Sequence, residues 1–173
     1  MPPEQQPDLD PGAIFAALAR EGVRYIVIGA VAAIAQGYPL NTGDLDVTPA
    51  RDPGNLERLA TALIELDARL RVSSNPAGVE FPIDADYLSR ADSWTLTTRY
   101  GDLDVRFFPA GTSGYDDLRR QAVSFDIGGT TTPMAALIDL IRMKEAAGRP
   151  KDLAQLPALK QTLEVARKRE AQS

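Results

Sequence analysis

Apolar positions in this chain fall into short blocks, and their period changes from block to block. Behind Asp10-Pro11, a cap and first-turn signal, Ile14, Phe15 and Leu18 lie at helical spacing and Gly22 closes the block. That predicts a helix over residues 11–21. "VRYIVIG" is a short, β-branched run that reads as a buried strand, and "AVAAIAQ" after Gly29 reads as a small-residue helix ended by Gly37 and Pro39. "DLDVTP" alternates and reads as the second strand. After Asp52-Pro53, Leu56, Leu59, Leu63, Leu66 and Leu70 keep helical spacing, which predicts one helix over residues 52–70. "SWTLTTRYGDLDVRFFP" reads as two strands joined near Tyr100-Gly101, "YDDLRRQA" as a short helix, and "VSFDIGGTTTP" as a hairpin turning at Gly128-Gly129. Two helices finish the chain: "MAALIDLIRMKEAAG", ended by Gly148, and a last one from about Lys151 to Arg167.

Hairpins beside helices imply antiparallel pairing, so an α/β (α+β) fold is expected, with a mixed β-sheet flanked by helices. The expected division is a disordered, proline-rich tail over residues 1–10, a core domain over 11–133, and a C-terminal helical segment over 134–173 packed on that core. The 173 residues, 44% hydrophobic and 25% charged, suffice for one domain with a real core. No apolar run approaches the roughly 18 residues of a membrane span, and the N-terminus lacks the basic and apolar stretches of a signal peptide. The cytoplasm is therefore the expected compartment, with no membrane partner.

Two absences narrow the chemistry. The chain has no cysteine and no histidine, which excludes thiolate and imidazole metal sites and all Ser-His-Asp or Cys-His catalysis. Carboxylates, lysine, arginine, tyrosine, hydroxyls or an oxygen-held metal remain. Charge is unevenly spread: residues 142–170 hold eight basic and four acidic residues within a chain of net charge −5. Such a basic segment could meet phosphates, although a solvated helix face is the commoner explanation.

One pentapeptide, Gly-Asp-Leu-Asp-Val, occurs twice, at 43–47 and 101–105. The echo is too short to imply duplication. On a strand, residues two apart share a face, so Asp44 and Asp46 lie about 6.5 Å apart on one side while Leu45 and Val47 point into the core. The same holds for Asp102 and Asp104. A single strand of this pattern is ordinarily just half-exposed. Up to four carboxylates on one sheet face would repel each other, and a hard cation such as Mg²⁺ or Mn²⁺ would remove that cost. Upstream, Gly29 at a strand-to-helix turn allows close backbone approach, and the helix start offers N–H groups to a phosphate. Downstream, Leu137, Ile141 and Lys144 share a helix stripe, so Lys144 either snorkels at a rim or points into a site.

Strand-Gly-small helix, then "GYP…T-x-D-L-D", then a later aspartate, resembles the signature of the nucleotidyltransferase superfamily with the DNA polymerase β-like palm. The tail "LIDLIRMKEAAGRPKDLAQLPAL" is similar to a segment of the AbiEii-like and MenT-like nucleotidyltransferase toxins and their uncharacterised relatives. The resemblance runs over roughly residues 13–160. It implies a nucleotidyltransferase fold with a helical appendage. It also implies a Mg²⁺- or Mn²⁺-dependent transfer of a nucleoside monophosphate from a nucleoside triphosphate to an acceptor hydroxyl on tRNA or protein. A role as the toxin of a toxin–antitoxin pair, with an antitoxin partner, goes with it.

On the same resemblance, Asp44, Asp46 and Asp104 are the catalytic and metal-holding residues, with Asp104 also able to accept the acceptor's proton. Lys144 meets the triphosphate, and Arg149 and Lys151 are weaker candidates for the same work. Gly29 with the Ala30 amide cradles phosphates, and Thr42 hydrogen-bonds behind the site. Asp102 and Asp152 stand behind the first rank; Asp152 either pairs with a neighbouring cation or, more in keeping with its position, caps the last helix. Two departures stand out: Ala30 replaces the usual second Gly or Ser of the turn, and Leu40 replaces an arginine often found four residues before the first aspartate. Two alternatives remain open, a small-molecule nucleotidyltransferase of the antibiotic-modifying kind and a non-catalytic binding module or antitoxin that keeps the fold.

Overall fold

The computed structural model describes residues 5–173; residues 1–4, the start of the expected disordered tail, lie outside the described residues. Helix α1 (Pro11–Arg20) starts as its sequence dictates, with the Asp10 side chain accepting from the Ala13 N–H at 3.1 Å and Pro11 in the first turn. After it come β1 (Tyr25–Ile28), α2 (Gly29–Ala35), β2 (Asp44–Pro49) and α3 (Pro53–Glu65). The middle of the chain forms β3 (Arg69–Val72), β4 (Asn75–Val79), α4 (Ala85–Leu88), β5 (Ser93–Thr98), β6 (Gly101–Arg106) and α5 (Tyr115–Leu118). The chain ends in β7 (Val123–Ile127), β8 (Thr130–Met134), α6 (Leu137–Ala147) and α7 (Pro150–Ala171).

All eight strands join one sheet in the order β4-β3-β5-β6-β2-β1-β8-β7. It is mixed, as expected: β2 runs parallel to β6 and β1 parallel to β8, while the remaining pairs are antiparallel. Leu45, Val47, Leu96, Leu103 and Val105 are fully buried and share the core with Ile14, Phe15, Leu18, Leu59 and Leu63 from α1 and α3. The hydrophobic effect thus fixes one face of β2 and β6 inward, which forces their aspartates onto the other face.

One expected element is corrected. The helix predicted over residues 52–70 stops at Glu65, and Leu70 belongs to β3. Asp67 takes a left-handed conformation, φ 53°, and the Ala68 N–H donates to the Leu63 carbonyl at 3.0 Å. This closes the helix as a Schellman motif without the usual glycine, after which Leu70 pairs with Leu96 of β5. The hairpin β3–β4 and the short α4 were not foreseen.

Smaller shifts occur elsewhere. Met134 ends β8 rather than opening α6, and α7 runs from Pro150 to Ala171, beyond both expected ends. In the N-terminal lead-in, residues 5–10 carry no helix or strand, the Asp10 N–H donates to the Tyr100 carbonyl at 2.9 Å, and the Gln6 amide donates to Asp102 at 3.3 Å.

Candidate active site

The two Gly-Asp-Leu-Asp-Val stretches lie side by side in register. Parallel strands β2 and β6 pair Asp44 with Asp102, Leu45 with Leu103, Asp46 with Asp104 and Val47 with Val105. Carboxylate oxygens of Asp44, Asp46 and Asp104 come within 4.8 Å of one another. A hard cation with bonds of about 2.1 Å spans about 4.2 Å between opposite ligands, so three carboxylates at this spacing suit Mg²⁺ or Mn²⁺. Asp102 falls outside that set.

Crowding and burial disturb these groups even with two arginines nearby. Asp46 is pushed up to about 7, first by burial and then by the charges of Asp104 and Asp44, with Arg106 pulling the other way. Burial also raises Asp104, opposed mainly by Arg71. Thr42 lies behind the cluster, its hydroxyl 2.9 Å from Asp44 Oδ1 and accepting from the Asp44 N–H at 3.3 Å.

Gly29 has a specific reason to be glycine. It sits at φ +70°, next to Ile28, which pairs with Asp46, and a Cβ built there would fall on the Asp46 carboxylate. The sequence suggested room for a ligand; the space is taken by the catalytic candidate itself.

A cavity of about 280 Å³ opens beside the carboxylates. Gly29, Ala30, Asp44 and Asp46 form one wall, and Lys144, Arg149, Lys151 and Asp152 from the α6–α7 region form the other. Tyr38, Leu40 and Leu159 add apolar surface. Asp104 does not line this cavity.

Asp152 does not cap α7. Arg149 occupies the cap position without a side-chain hydrogen bond, and Asp152 lies in the first turn, 1% exposed. It accepts from Arg149 Nε at 2.6 Å and from Lys144 Nζ at 3.2 Å. The Arg149 hydrogen bonds, helped by Lys144, lower it to about 2. A buried anion therefore fixes two cations at the cavity wall.

Two arginines escaped the sequence reading. Arg71 of β3 donates to Asp104 Oδ1 and lies 3.4 Å from Asp102 Oδ2. Arg106 reaches Asp46 Oδ1 at 3.6 Å and Asp104 Oδ2 at 3.9 Å. Arg106 was findable, because it stands two residues after Asp104 on the same strand face. Arg71 was not, since its strand was hidden behind a helical leucine pattern.

The basic C-terminal segment is largely paired. Lys144 and Arg149 meet Asp152, Arg142 meets Asp117 and Asp139, Lys160 meets Glu145, and Lys168 meets Glu164. Among the described residues no helix is long and apolar enough to cross a membrane.

No family model matches this chain, and no curated protein matches it. Solved structures do. A candidate nucleotidyltransferase from Thermotoga maritima superposes with a TM-score of 0.55 at 16% identity, covering 89% of this chain and 96% of that one. The lincosamide antibiotic adenylyltransferase LnuA, solved with lincomycin bound, superposes with a TM-score of 0.58 at 11% identity, covering 89% and 98%. With its mixed sheet, flanking helices and nearly complete coverage of both neighbours, this chain has the nucleotidyltransferase fold.

Proposed function

We propose that the protein is a Mg²⁺- or Mn²⁺-dependent nucleotidyltransferase that moves a nucleoside monophosphate from a nucleoside triphosphate to an acceptor hydroxyl. The observation that carries this reading is the in-register pairing of the two Asp-Leu-Asp stretches, which gathers three carboxylates beside a cavity walled by Lys144 and Arg149. Asp44, Asp46 and Asp104 would hold the cation, whose bound charge offsets the negative charge that builds on the α-phosphate. Lys144, Arg149 and Lys151 bind the phosphates, and the Gly29-Ala30 backbone lies against them. Asp104, raised by burial, accepts the proton of the acceptor hydroxyl. The acceptor oxygen bonds to the α-phosphorus, the bond to the β-phosphate bridging oxygen breaks, and pyrophosphate leaves.

A small hydroxyl compound is the acceptor we favour. Beyond the cavity wall, Lys160 and Lys168 of the C-terminal segment, which a tRNA would need, pair with Glu145 and Glu164, and the structurally similar LnuA is a lincosamide antibiotic adenylyltransferase. The tRNA or protein acceptor of a toxin, with an antitoxin partner, is the reading drawn from sequence resemblance, and a non-catalytic module is the third. One experiment sorts them. The four α-labelled nucleoside triphosphates are supplied with Mg²⁺ and, in turn, total RNA, total protein and a panel of aminoglycosides and lincosamides. Label in the small-molecule fraction supports the favoured reading, label in RNA or protein supports the toxin-type reading, and no label anywhere leaves the binding module.

A further inference from the structure

We propose that Arg71 is a built-in counter-ion that sets how tightly the carboxylate cluster holds a divalent cation, and that Asp102 serves to hold Arg71 in place. The inference rests on the metal reading above. Four aspartates share one face of β2 and β6, and Asp102 has no part in the triad that could ligate a cation. Arg71 comes from β3, with β5 lying between β3 and β6. Because Leu70 pairs with Leu96 and Thr95 pairs with Asp104, Arg71 reaches Asp104 across the short side chain of Thr95.

The guanidinium is fixed at three points. It donates to Asp104 Oδ1 and, at 3.2 Å, to the Leu96 carbonyl, and it lies 3.4 Å from Asp102 Oδ2. Its side chain is 26% exposed. Arg106 contrasts with it: its side chain is 47% exposed and approaches Asp46 and Asp104 no closer than 3.6 Å. Arg106 can swing into solvent when a cation arrives, whereas Arg71 stays.

A fixed positive charge beside Asp104 has two consequences. It offsets carboxylate repulsion, so the cluster keeps its arrangement without a cation. It also opposes cation binding, so a divalent ion is held weakly by the protein alone and firmly only when nucleotide phosphates add their own negative charge. The ion and the nucleotide then load together, and the surplus aspartate of the second pentapeptide is explained as the anchor of Arg71.

The test is an Mn²⁺ titration of the full chain, with free Mn²⁺ read by electron paramagnetic resonance, with and without a non-hydrolysable nucleoside triphosphate analogue. Arg71→Met keeps the apolar stem and removes the charge; Arg71→Gln repeats the test with a neutral polar side chain; Arg71→Lys keeps the charge. Expected is a roughly tenfold tightening of Mn²⁺ binding in the nucleotide-free Met and Gln variants, the scale of one unit charge acting on a dication across a few ångströms in a water-accessible site. The Lys variant should stay within about twofold of the parent, on the same reasoning. Unchanged or weaker binding in Met and Gln overturns the counter-ion role. Absence of Mn²⁺ binding in the parent even with nucleotide overturns the metal reading itself, which is a separate failure.

Discussion

Residues 43–47 and 101–105 have the same five side chains, the same extended backbone and adjacent places in one sheet, yet they face different neighbours. β2 has β1 at its side, and β1 delivers Gly29 against Asp46, so the first pentapeptide looks into the cavity shared with Lys144. β6 has β5 and then β3 at its side, and β3 delivers Arg71, so the second pentapeptide is held by a guanidinium. Local sequence fixes which face the carboxylates occupy; the strands laid alongside decide whether they border a cavity or a fixed guanidinium.

The comparison is broken most severely at Asp46. Asp46→Asn should lower nucleotidyl transfer by about a thousandfold, because a cation ligand worth several kcal/mol is lost. Asp102→Asn, at the equivalent pentapeptide position to Asp44, should cost less than about tenfold, since Asp102 acts only through Arg71. Label-transfer rates of the two purified variants check both. Equal losses would erase the proposed division of labour.

Gly29→Ala tests the neighbour rather than the pentapeptide. The added Cβ meets the Asp46 carboxylate and the φ of +70° disfavours any L side chain. We expect activity to fall by roughly a hundredfold and stability by about 1–3 kcal/mol, read by turnover and by urea unfolding. Asp46 also gives a pH signature. An aspartate raised from its ordinary value near 4 to about 7 makes the folded state bind an extra proton in that window, so stability falls as pH rises from about 4 to about 7. Asp46→Asn should remove that fall, and the metal-free variant should melt higher than the parent at pH 8.

Asp152 has the opposite sign. Lowered to about 2 by Arg149 and Lys144, its carboxylate contributes on the order of 2 kcal/mol above pH 4, lost between about pH 4 and pH 2. Asp152→Asn should abolish that acid-side loss and raise the KM for nucleotide severalfold by releasing the two cations, with a smaller effect on kcat. Thermal melts from pH 2 to 5 and steady-state kinetics measure the two parts.

Much of this arrangement was legible in the residues. Alternation at Asp44-Leu45-Asp46-Val47 and at its echo marks two half-buried strands with carboxylates on one face, and the absence of histidine and cysteine directs attention to them. The Leu137-Ile141-Lys144 stripe left Lys144 either at a rim or aimed into a site, and Lys144 lines the cavity. What stayed hidden depended on non-local pairing. Leu66 and Leu70 continue the helical rhythm of Leu56, Leu59 and Leu63, so only the left-handed Asp67, an uncommon conformation for a residue other than glycine, reveals that the helix ends and a strand begins. Without that strand Arg71 has no place near Asp104. For Asp152 the sequence left two readings, a cation pair or a helix cap, and favoured the cap; burial beside Arg149 and Lys144 realises the pair instead.

Double labelling tests the central claim most directly. The protein is given each nucleoside triphosphate labelled on the α-phosphate and, separately, on the γ-phosphate, with Mg²⁺ and the acceptor panel, beside the Asp44→Ala/Asp46→Ala double variant. Nucleotidyl transfer at this site predicts α-label on the acceptor and γ-label in pyrophosphate, both absent in the variant. Label from the γ-position on the acceptor, orthophosphate release alone, or undiminished transfer without the two aspartates would contradict it.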